Sequence, residues 1–155
     1  MTAKNLDKTP VTLLEEIFPG DTNAYGTAFG GKILSLMDRA AGLTASRYAH
    51  LHFVTASLDA MEFCAPVKQG EIAEVVAKVV YTSKHTYGIK VEVSAVDKTK
   101  WQRKHCGHGL FFMVAMGPEK KPLPVPQLGS LAEQDQADWD EAALVHRQML
   151  DRKRR

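Results

Sequence analysis

The sequence predicts an α+β domain in which an antiparallel sheet wraps around one central helix. Apolar residues recur at helical spacing between residues 31 and 48, which indicates a helix with one wide apolar face. After it, four segments of strand length follow at even spacing and are rich in Val, Ile, Phe and Thr. With 155 residues, 45% of them apolar, the chain has room for one globular core and for no second catalytic domain.

The elements are predicted in a definite order along the chain. Residues 10–18 form a short first strand, although the Leu-Leu-Glu-Glu run within it would also suit a helical turn. Residues 19–31 are dense in Gly, Asp, Thr and Asn, and therefore form a long loop before the helix. The four later strands are predicted at 52–63, 71–82, 86–97 and 105–116.

The C-terminal region is predicted to follow the sheet as a helical extension. Residues 117–129 contain four prolines and end the sheet. Ser130 and Glu133 form a capping box for a last helix, whose apolar stripe is expected to dock on a neighbouring surface. We therefore expect one domain at 1–129 and the extension at 130–155. The stripe consists of Trp139, Ala142, Ala143, His146, Met149 and Leu150.

Charge and cysteine usage exclude several classes of protein. The net charge of +2 comes from interspersed basic and acidic residues, unlike the one-signed surface of a nucleic-acid-binding protein. The two cysteines are isolated in apolar runs, which suits a reducing compartment. The first ten residues lack the apolar run of a signal peptide, and no segment approaches the length of a spanning helix. We expect a cytoplasmic protein without nucleic-acid or membrane partners.

Asp38 is the first candidate catalytic residue. It lies inside the predicted helix among apolar neighbours, where aspartate has poor helix propensity. On one interpretation it lies at the solvated edge of the helix beside Arg39 and Lys32. The start of the helix favours a functional role instead, because Gly30 and Gly31 would leave its N–H groups open to a developing oxyanion. Alternatively, the two glycines only permit a tight turn into the helix.

Three segments resemble the hotdog-fold acyl-CoA thioesterases, and in particular their bacterial YciA-type branch. They are DTNAYGTAFGGKILSLMDRAAG at 21–42, VTASLDAMEFCAPVKQGE at 54–71 and PLPVPQL at 122–128. The resemblance covers roughly residues 11–128. It implies a helix inside a curled antiparallel sheet. It also implies a dimer of such domains with a continuous sheet and two sites between the subunits.

The resemblance implies an acyl-CoA thioesterase that releases a free fatty acid and CoA. Asn23 and Asp38 correspond to the catalytic pair, and the N–H of Gly31 polarises the thioester carbonyl. Asp38 would act as general base, or as a nucleophile that forms a transient anhydride. No cofactor is expected, since CoA is part of the substrate, and the expected assembly is a homo-oligomer, either a dimer or a trimer of dimers. The alternatives are a non-catalytic acyl-CoA-binding module and a structural assembly module.

Substrate contacts are expected from two parts of the chain. We expect Gly30 and Thr55 to bind the substrate. The family often has a Gly-Arg-Thr-Ser turn for the CoA arm, where this chain has Ser-Lys-His-Thr. We expect Ser83, Lys84 and Thr86 of this turn to bind the substrate. The acyl chain length stays open, because it depends on the packing of a further group of apolar side chains. These are Met37, Leu58, Met61 and Phe63.

Two clusters remain outside this interpretation. On a strand with regular alternation, Cys106 and His108 share a face and His105 points away. Because no further ligands have suitable spacing, we expect no metal site there. The basic run at 98–104 around Trp101 is predicted to be a solvated hairpin tip. Alternatively, it holds the phosphates of CoA.

Overall fold

The computed structural model describes residues 10–129 and 131–154. Within these ranges the chain forms five strands, two α-helices and two short 3-10 turns, in the predicted order. Each strand, and the central helix, begins and ends within two residues of its predicted bounds. The elements are β1 (Val11–Glu16), α1 (Gly30–Ala49), β2 (Phe53–Phe63), β3 (Ile72–Thr82), β4 (Thr86–Val96), β5 (Arg103–Ala115) and α2 (Gln136–Lys153).

The five strands form one antiparallel sheet that surrounds α1. Their order is β1-β3-β4-β5-β2, so β1 and β2 are the edges of the sheet. α1 packs against all five strands. Ala40 and Ala41 are fully buried between helix and sheet, and their small side chains let the strands approach the helix closely. The predicted fold class is confirmed, and the arrangement is that of the hotdog fold.

β5 contains a bulge at Cys106. Ser94 of β4 pairs with His105, whereas the preceding Val93 pairs with Gly107, so Cys106 is an additional residue without a partner on β4. Cys106 points into the core and is only 1% exposed. The strand therefore does not alternate regularly across this position.

The bulge changes which side chains share a face of the sheet. His105 and His108 lie together on the face opposite α1, with 3.3 Å between Nε2 of His105 and Nδ1 of His108. The prediction that Cys106 and His108 share a face was therefore wrong, because it assumed uninterrupted alternation. Gly107 lies between Cys106 and His108, and a Cβ on Gly107 would be 2.6 Å from the carbonyl oxygen of Glu62. Only glycine allows β2 to approach this closely.

α2 packs on the outer face of the sheet. Phe112 of β5 is fully buried and packs in one cluster with Ala142 and Met149 of the helix. At the same interface, the hydroxyl of Tyr81 lies 3.1 Å from Nδ1 of His146. The predicted apolar stripe therefore docks on the sheet of its own chain.

α2 begins later than the sequence predicted. Ser130 lies outside the described residues, and Glu133 belongs to a 3-10 turn (Glu133–Asp135) that precedes the helix. The helix begins at Gln136 with Asp135 at the N-cap position, so the predicted capping box does not start it. No helix in the described part of the chain is both long and apolar enough to cross a membrane.

Candidate functional site

The start of α1 presents free backbone donors. Gly30 and Gly31 are its first two residues, and Phe29 precedes them without a side-chain cap. Both glycines are exposed, and a Cβ built on Gly31 would meet nothing within 4 Å. Among the described residues, no acceptor binds the N–H of Gly31. The positive end of the helix dipole is therefore open to a carbonyl oxygen.

Asn23 organises the loop that leads to this helix. Its Oδ1 accepts hydrogen bonds from the N–H groups of Tyr25 at 2.9 Å and Thr27 at 3.2 Å. Its Nδ2 donates to Oγ1 of Thr27 at 2.9 Å. The N–H of Ala28 then donates to the carbonyl of Val67 at 2.8 Å and ties the loop to the segment before β3. The amide of Asn23 is held in one orientation, and the second N–H of Nδ2 meets no acceptor in the part of the chain that the structure describes.

Asp38 accepts a hydrogen bond from Thr55 on the edge strand β2. The hydroxyl of Thr55 lies 2.5 Å from Oδ1 of Asp38, a length typical of a charge-assisted bond. The two cations near Asp38 in the sequence pair with Glu15 instead, Lys32 at 2.5 Å and Arg39 at 3.9 Å. Hydrogen bonding to Glu15 raises the pKa of Lys32. Asp38 is thus exposed, as one interpretation expected, but its partner is the hydroxyl of Thr55.

A single chain does not gather all the predicted catalytic groups around one point. Gly31 and Asp38 lie on the same continuous helix, seven residues apart, which is about 10 Å along the axis. An oxyanion donor must lie about 3 Å from the oxygen that it stabilises. One carbonyl therefore cannot contact the Gly31 N–H and also lie beside the Asp38 carboxylate. A complete site around either the Gly31 N–H or the Asp38 carboxylate therefore needs further groups from another part of the protein or from a second copy.

The edge of the sheet beside Asp38 leaves an apolar surface uncovered. β2 pairs with β5 on one side only, so its other backbone edge meets no strand among the described residues. Val54 and Phe63 are each 50% exposed on this strand, and Leu58 is 38% exposed. Leu43 on α1 is 48% exposed. Soluble proteins seldom leave a long apolar edge strand open, so this surface is typical of an interface.

An apolar cavity of about 420 Å³ opens beside Gly30. Phe63 and Ile33 form part of its wall, and Cys106 lines it from the bulge in β5. Burial raises the pKa of the Cys106 thiol, which therefore remains a protonated, apolar part of the wall. Of the four side chains expected to set the depth of the acyl pocket, only Phe63 lines this cavity. Met37 is instead fully buried in the core.

The turn between β3 and β4 lies far from this cavity. Thr86 begins β4, and Val93, which lines the cavity, lies seven residues further along the strand, at about 23 Å. Ser83, Lys84 and Thr86 line a separate surface groove together with Arg147 of α2. Two cations in one groove suit a phosphate. Within one chain, the structure therefore separates these three residues from the glycines at the start of α1.

Two of the four cations of the basic run in the β4–β5 hairpin pair with carboxylates of their own chain. Lys98 pairs with Glu16, and Arg103 makes two hydrogen bonds to Glu74, at 2.6 and 3.1 Å. Trp101 is 48% exposed at the tip. The predicted solvated hairpin tip is confirmed. Within the ranges that the structure describes, no group of three or more His, Cys, Asp or Glu side chains is arranged to hold a metal ion.

Known families and relatives share this sequence pattern. The model of the thioesterase superfamily matches residues 25–102. The acyl-CoA thioester hydrolase YciA of Salmonella typhimurium is 33% identical over 130 residues, which cover 80% of this chain and 98% of the relative. The cytosolic acyl coenzyme A thioester hydrolase of Rattus norvegicus is 32% identical over 141 residues. Those residues cover 89% of this chain but 37% of the rat protein, so the chain spans little more than a third of that relative.

Solved structures show the same fold. An apo-hexameric acyl-CoA thioesterase superposes with a TM-score of 0.89 at 27% identity, covering 99% of this chain and 98% of the other. The acyl-CoA hydrolase of Staphylococcus aureus, solved with butyryl-CoA and CoA, superposes with a TM-score of 0.84 at 28% identity, covering 95% and 90%. Variants of that hydrolase replace an asparagine, an aspartate and a threonine by alanine. The three substituted positions are spaced by 15 and 17 residues, as are Asn23, Asp38 and Thr55 in this chain.

Proposed function

Since the chain belongs to the thioesterase superfamily, we propose that it hydrolyses acyl-CoA thioesters to a free fatty acid and CoA. The observation that supports this most strongly is the hydrogen-bonded pair of Asp38 and Thr55 beside the open edge of the sheet. Both residues, with Asn23, have the spacing of the three positions substituted in the Staphylococcus hydrolase.

In thioester hydrolysis the enzyme needs to give the leaving group little assistance. A thiol has a pKa of about 8.5, so the thiolate departs without strong help from a general acid. The enzyme must instead supply an activated water molecule and a place for the negative charge on the carbonyl oxygen. The carboxylate of Asp38 and the free N–H of Gly31 suit these two needs.

Asp38 is the group that we assign to water activation. Thr55 donates to Oδ1 and holds the carboxylate, which leaves Oδ2 to accept a proton. As general base, Asp38 takes a proton from water while the oxygen attacks the carbonyl carbon, and the C–S bond then breaks to release the thiolate. As nucleophile, Asp38 attacks the carbon itself, the C–S bond breaks to release the thiolate, and water then cleaves the resulting anhydride. A single turnover in ¹⁸O-labelled water identifies an anhydride that water cleaves at the Asp38 carbonyl, because the product then carries ¹⁶O from the enzyme and the label enters Asp38.

Gly31 and Asn23 complete the site in this proposal. The N–H of Gly31 donates to the carbonyl oxygen as charge develops on it, at the positive end of the α1 dipole. The remaining N–H of Asn23 orients the water or the carbonyl. The apolar cavity beside Gly30 offers room for the acyl chain. Lys84 and Arg147 in the second groove offer charge for the phosphates of CoA.

The same proposal includes a homo-oligomer in the cytoplasm with sites between subunits. Pairing of β2 with β2 of a second copy would cover the exposed Val54 and Leu58 and continue the sheet. It would also bring groups of the second copy to Asp38, which lies about 10 Å from Gly31 in its own chain. A hexameric structural neighbour supports a homo-oligomer, and the cytosolic relative from rat supports the location. No cofactor is part of the proposal, since CoA belongs to the substrate.

A thiol-release assay with a panel of acyl-CoAs tests the hydrolase proposal. Asp38→Asn keeps the shape of the side chain and removes the base, so we expect kcat to fall about 10²–10⁴-fold while CoA binding is retained. Asp140→Asn, on the exposed side of α2, is the matched control and should behave as wild type.

Two results would contradict this proposal. Wild-type turnover in Asp38→Asn would remove Asp38 from the mechanism. Tight binding of acyl-CoA by the wild-type protein with no thiol release for any acyl chain would favour the alternative of a non-catalytic binding module.

A further inference from the structure

We propose a second site on this protein, a transition-metal site formed by His105 and His108 on the outer face of the sheet. The two rings come together only because of the bulge at Cys106. Regular alternation would separate them by placing them on opposite faces. The site lies on the face opposite α1 and goes beyond the proposed hydrolase activity, on which it does not depend.

The distance between the two nitrogens fits a shared metal ion. Nε2 of His105 and Nδ1 of His108 are 3.3 Å apart. Two nitrogens bound to one zinc ion at about 2.0–2.1 Å with a tetrahedral angle are separated by about 3.3 Å. The ring planes differ by only 22° and the ring centroids lie 5.5 Å apart. Small rotations of both rings would direct the two lone pairs at one ion.

A carboxylate supports the ligand form of His108. Oε2 of Glu62 on β2 lies 3.5 Å from Nε2 of His108, the ring nitrogen that does not face His105. A carboxylate in this place favours the proton on Nε2 and leaves Nδ1 as the lone-pair donor. Metal-binding histidines commonly have such a partner on their second nitrogen, where it orients the ring and increases its basicity.

The surroundings of the pair are open and rich in carboxylates. Glu92 on β4 is the direct neighbour of His108 across the strands and lines the same surface hollow, as does Glu141 of α2. Lys90, the ammonium group that the described residues place in the lining, pairs with Asp138 at 2.9 Å and with Glu92 at 3.6 Å, so the carboxylates around the pair still outnumber it. A divalent cation would therefore meet a favourable local charge.

The proposed site has two protein ligands, and water completes the coordination. No third His, Cys, Asp or Glu side chain in the described ranges is placed to form a set of three with the histidines. The solvent-facing position of His105 leaves room for water at the remaining positions. We expect binding that is reversible and weaker than at a buried structural zinc site, with Zn²⁺, Ni²⁺ or Cu²⁺ as the suitable ions for imidazole ligands.

Calorimetric titration of the untagged, full-length protein with ZnCl₂ tests the proposal. His105→Gln and His108→Gln should each remove one zinc equivalent per chain, because each deletes one of two ligands. Glu62→Gln should keep the stoichiometry and weaken binding roughly tenfold, since it removes only the carboxylate partner of His108. The matched controls His50→Gln and His52→Gln remove other exposed imidazoles and should leave this equivalent unchanged.

A crystal of the wild-type protein grown with ZnCl₂ gives a test that does not depend on variants. An anomalous zinc peak about 2.1 Å from both Nε2 of His105 and Nδ1 of His108 is the expected result. The proposal is overturned if that peak is absent at millimolar zinc, or if the two histidine variants bind as much zinc as the wild type. The pair would then be a simple N–H···N hydrogen bond.

Discussion

The contact between Thr55 and Asp38 leads to a sharp prediction about kcat. Thr55→Val removes the hydroxyl that donates to Oδ1 of Asp38 at 2.5 Å and keeps the shape of the side chain. A hydrogen bond to a charged group contributes about 1.5–3 kcal/mol. Because Thr55 is exposed, water replaces part of the bond, and we use the lower end of this range, about 1.5 kcal/mol. If this loss falls on the transition state, kcat decreases roughly tenfold.

The assay is thiol release with one acyl-CoA, analysed separately for kcat and KM. Thr55→Ser is the matched control, since it keeps a hydroxyl, and it should retain kcat within about twofold. In an Asp38→Asn background, Thr55→Val should have little further effect, because the two residues act as one unit. A wild-type kcat in Thr55→Val would refute the positioning role. A raised KM with unchanged kcat would instead make Thr55 a direct substrate contact, as the sequence suggested.

Two further predictions concern the oxyanion donor and the docking of α2. Gly31→Pro deletes the N–H at the second position of α1 and should lower kcat about 10²–10³-fold relative to Gly31→Ala, which keeps the N–H and causes no clash. Equal kcat in the two folded variants would show that the N–H of Gly31 is not the oxyanion donor. Burial lowers the pKa of His146, so protonation is disfavoured in the folded state, and the free energy of unfolding should fall as the pH drops below about 6.5. In urea unfolding at about pH 7.5 and 5.5, His146→Gln should show a smaller decrease than wild type, and an equal decrease would contradict this assignment.

The fold was predictable because its signals are local and periodic. The apolar residues of α1 and the alternation within β3 and β4 define elements that the structure reproduces within two residues. The bulge at Cys106 was not predictable, because it results from the pairing of two strands and leaves no periodic signal in either. The start of α2 was misplaced for a related reason. Ser130 and Glu133 match a capping pattern, but the chain enters the helix only after a 3-10 turn.

The candidate site was predictable in its residues but not in their contacts. The predicted set included Asp38 and Thr55, yet nothing in the sequence places a strand residue 17 positions away within hydrogen-bonding distance of a helical carboxylate. Likewise, the family resemblance implied a catalytic role for Asn23 without showing that its amide also binds Tyr25 and Thr27. Tertiary packing determines both contacts. Whether these groups act together in catalysis stays a prediction.

A complementation experiment tests most directly the claim that each site is shared between two subunits. Inactive Asn23→Ala and Asp38→Asn proteins are co-refolded, and subunit exchange is confirmed by mass spectrometry. In each mixed dimer one site lacks both groups and the other site lacks neither, so a statistical mixture should recover about a quarter of wild-type thiol release. Because Asn23 also holds its own loop, circular dichroism of each parent checks that both variants fold. Exchange without any recovery of activity would contradict the shared site, because groups supplied by one chain would leave every site defective.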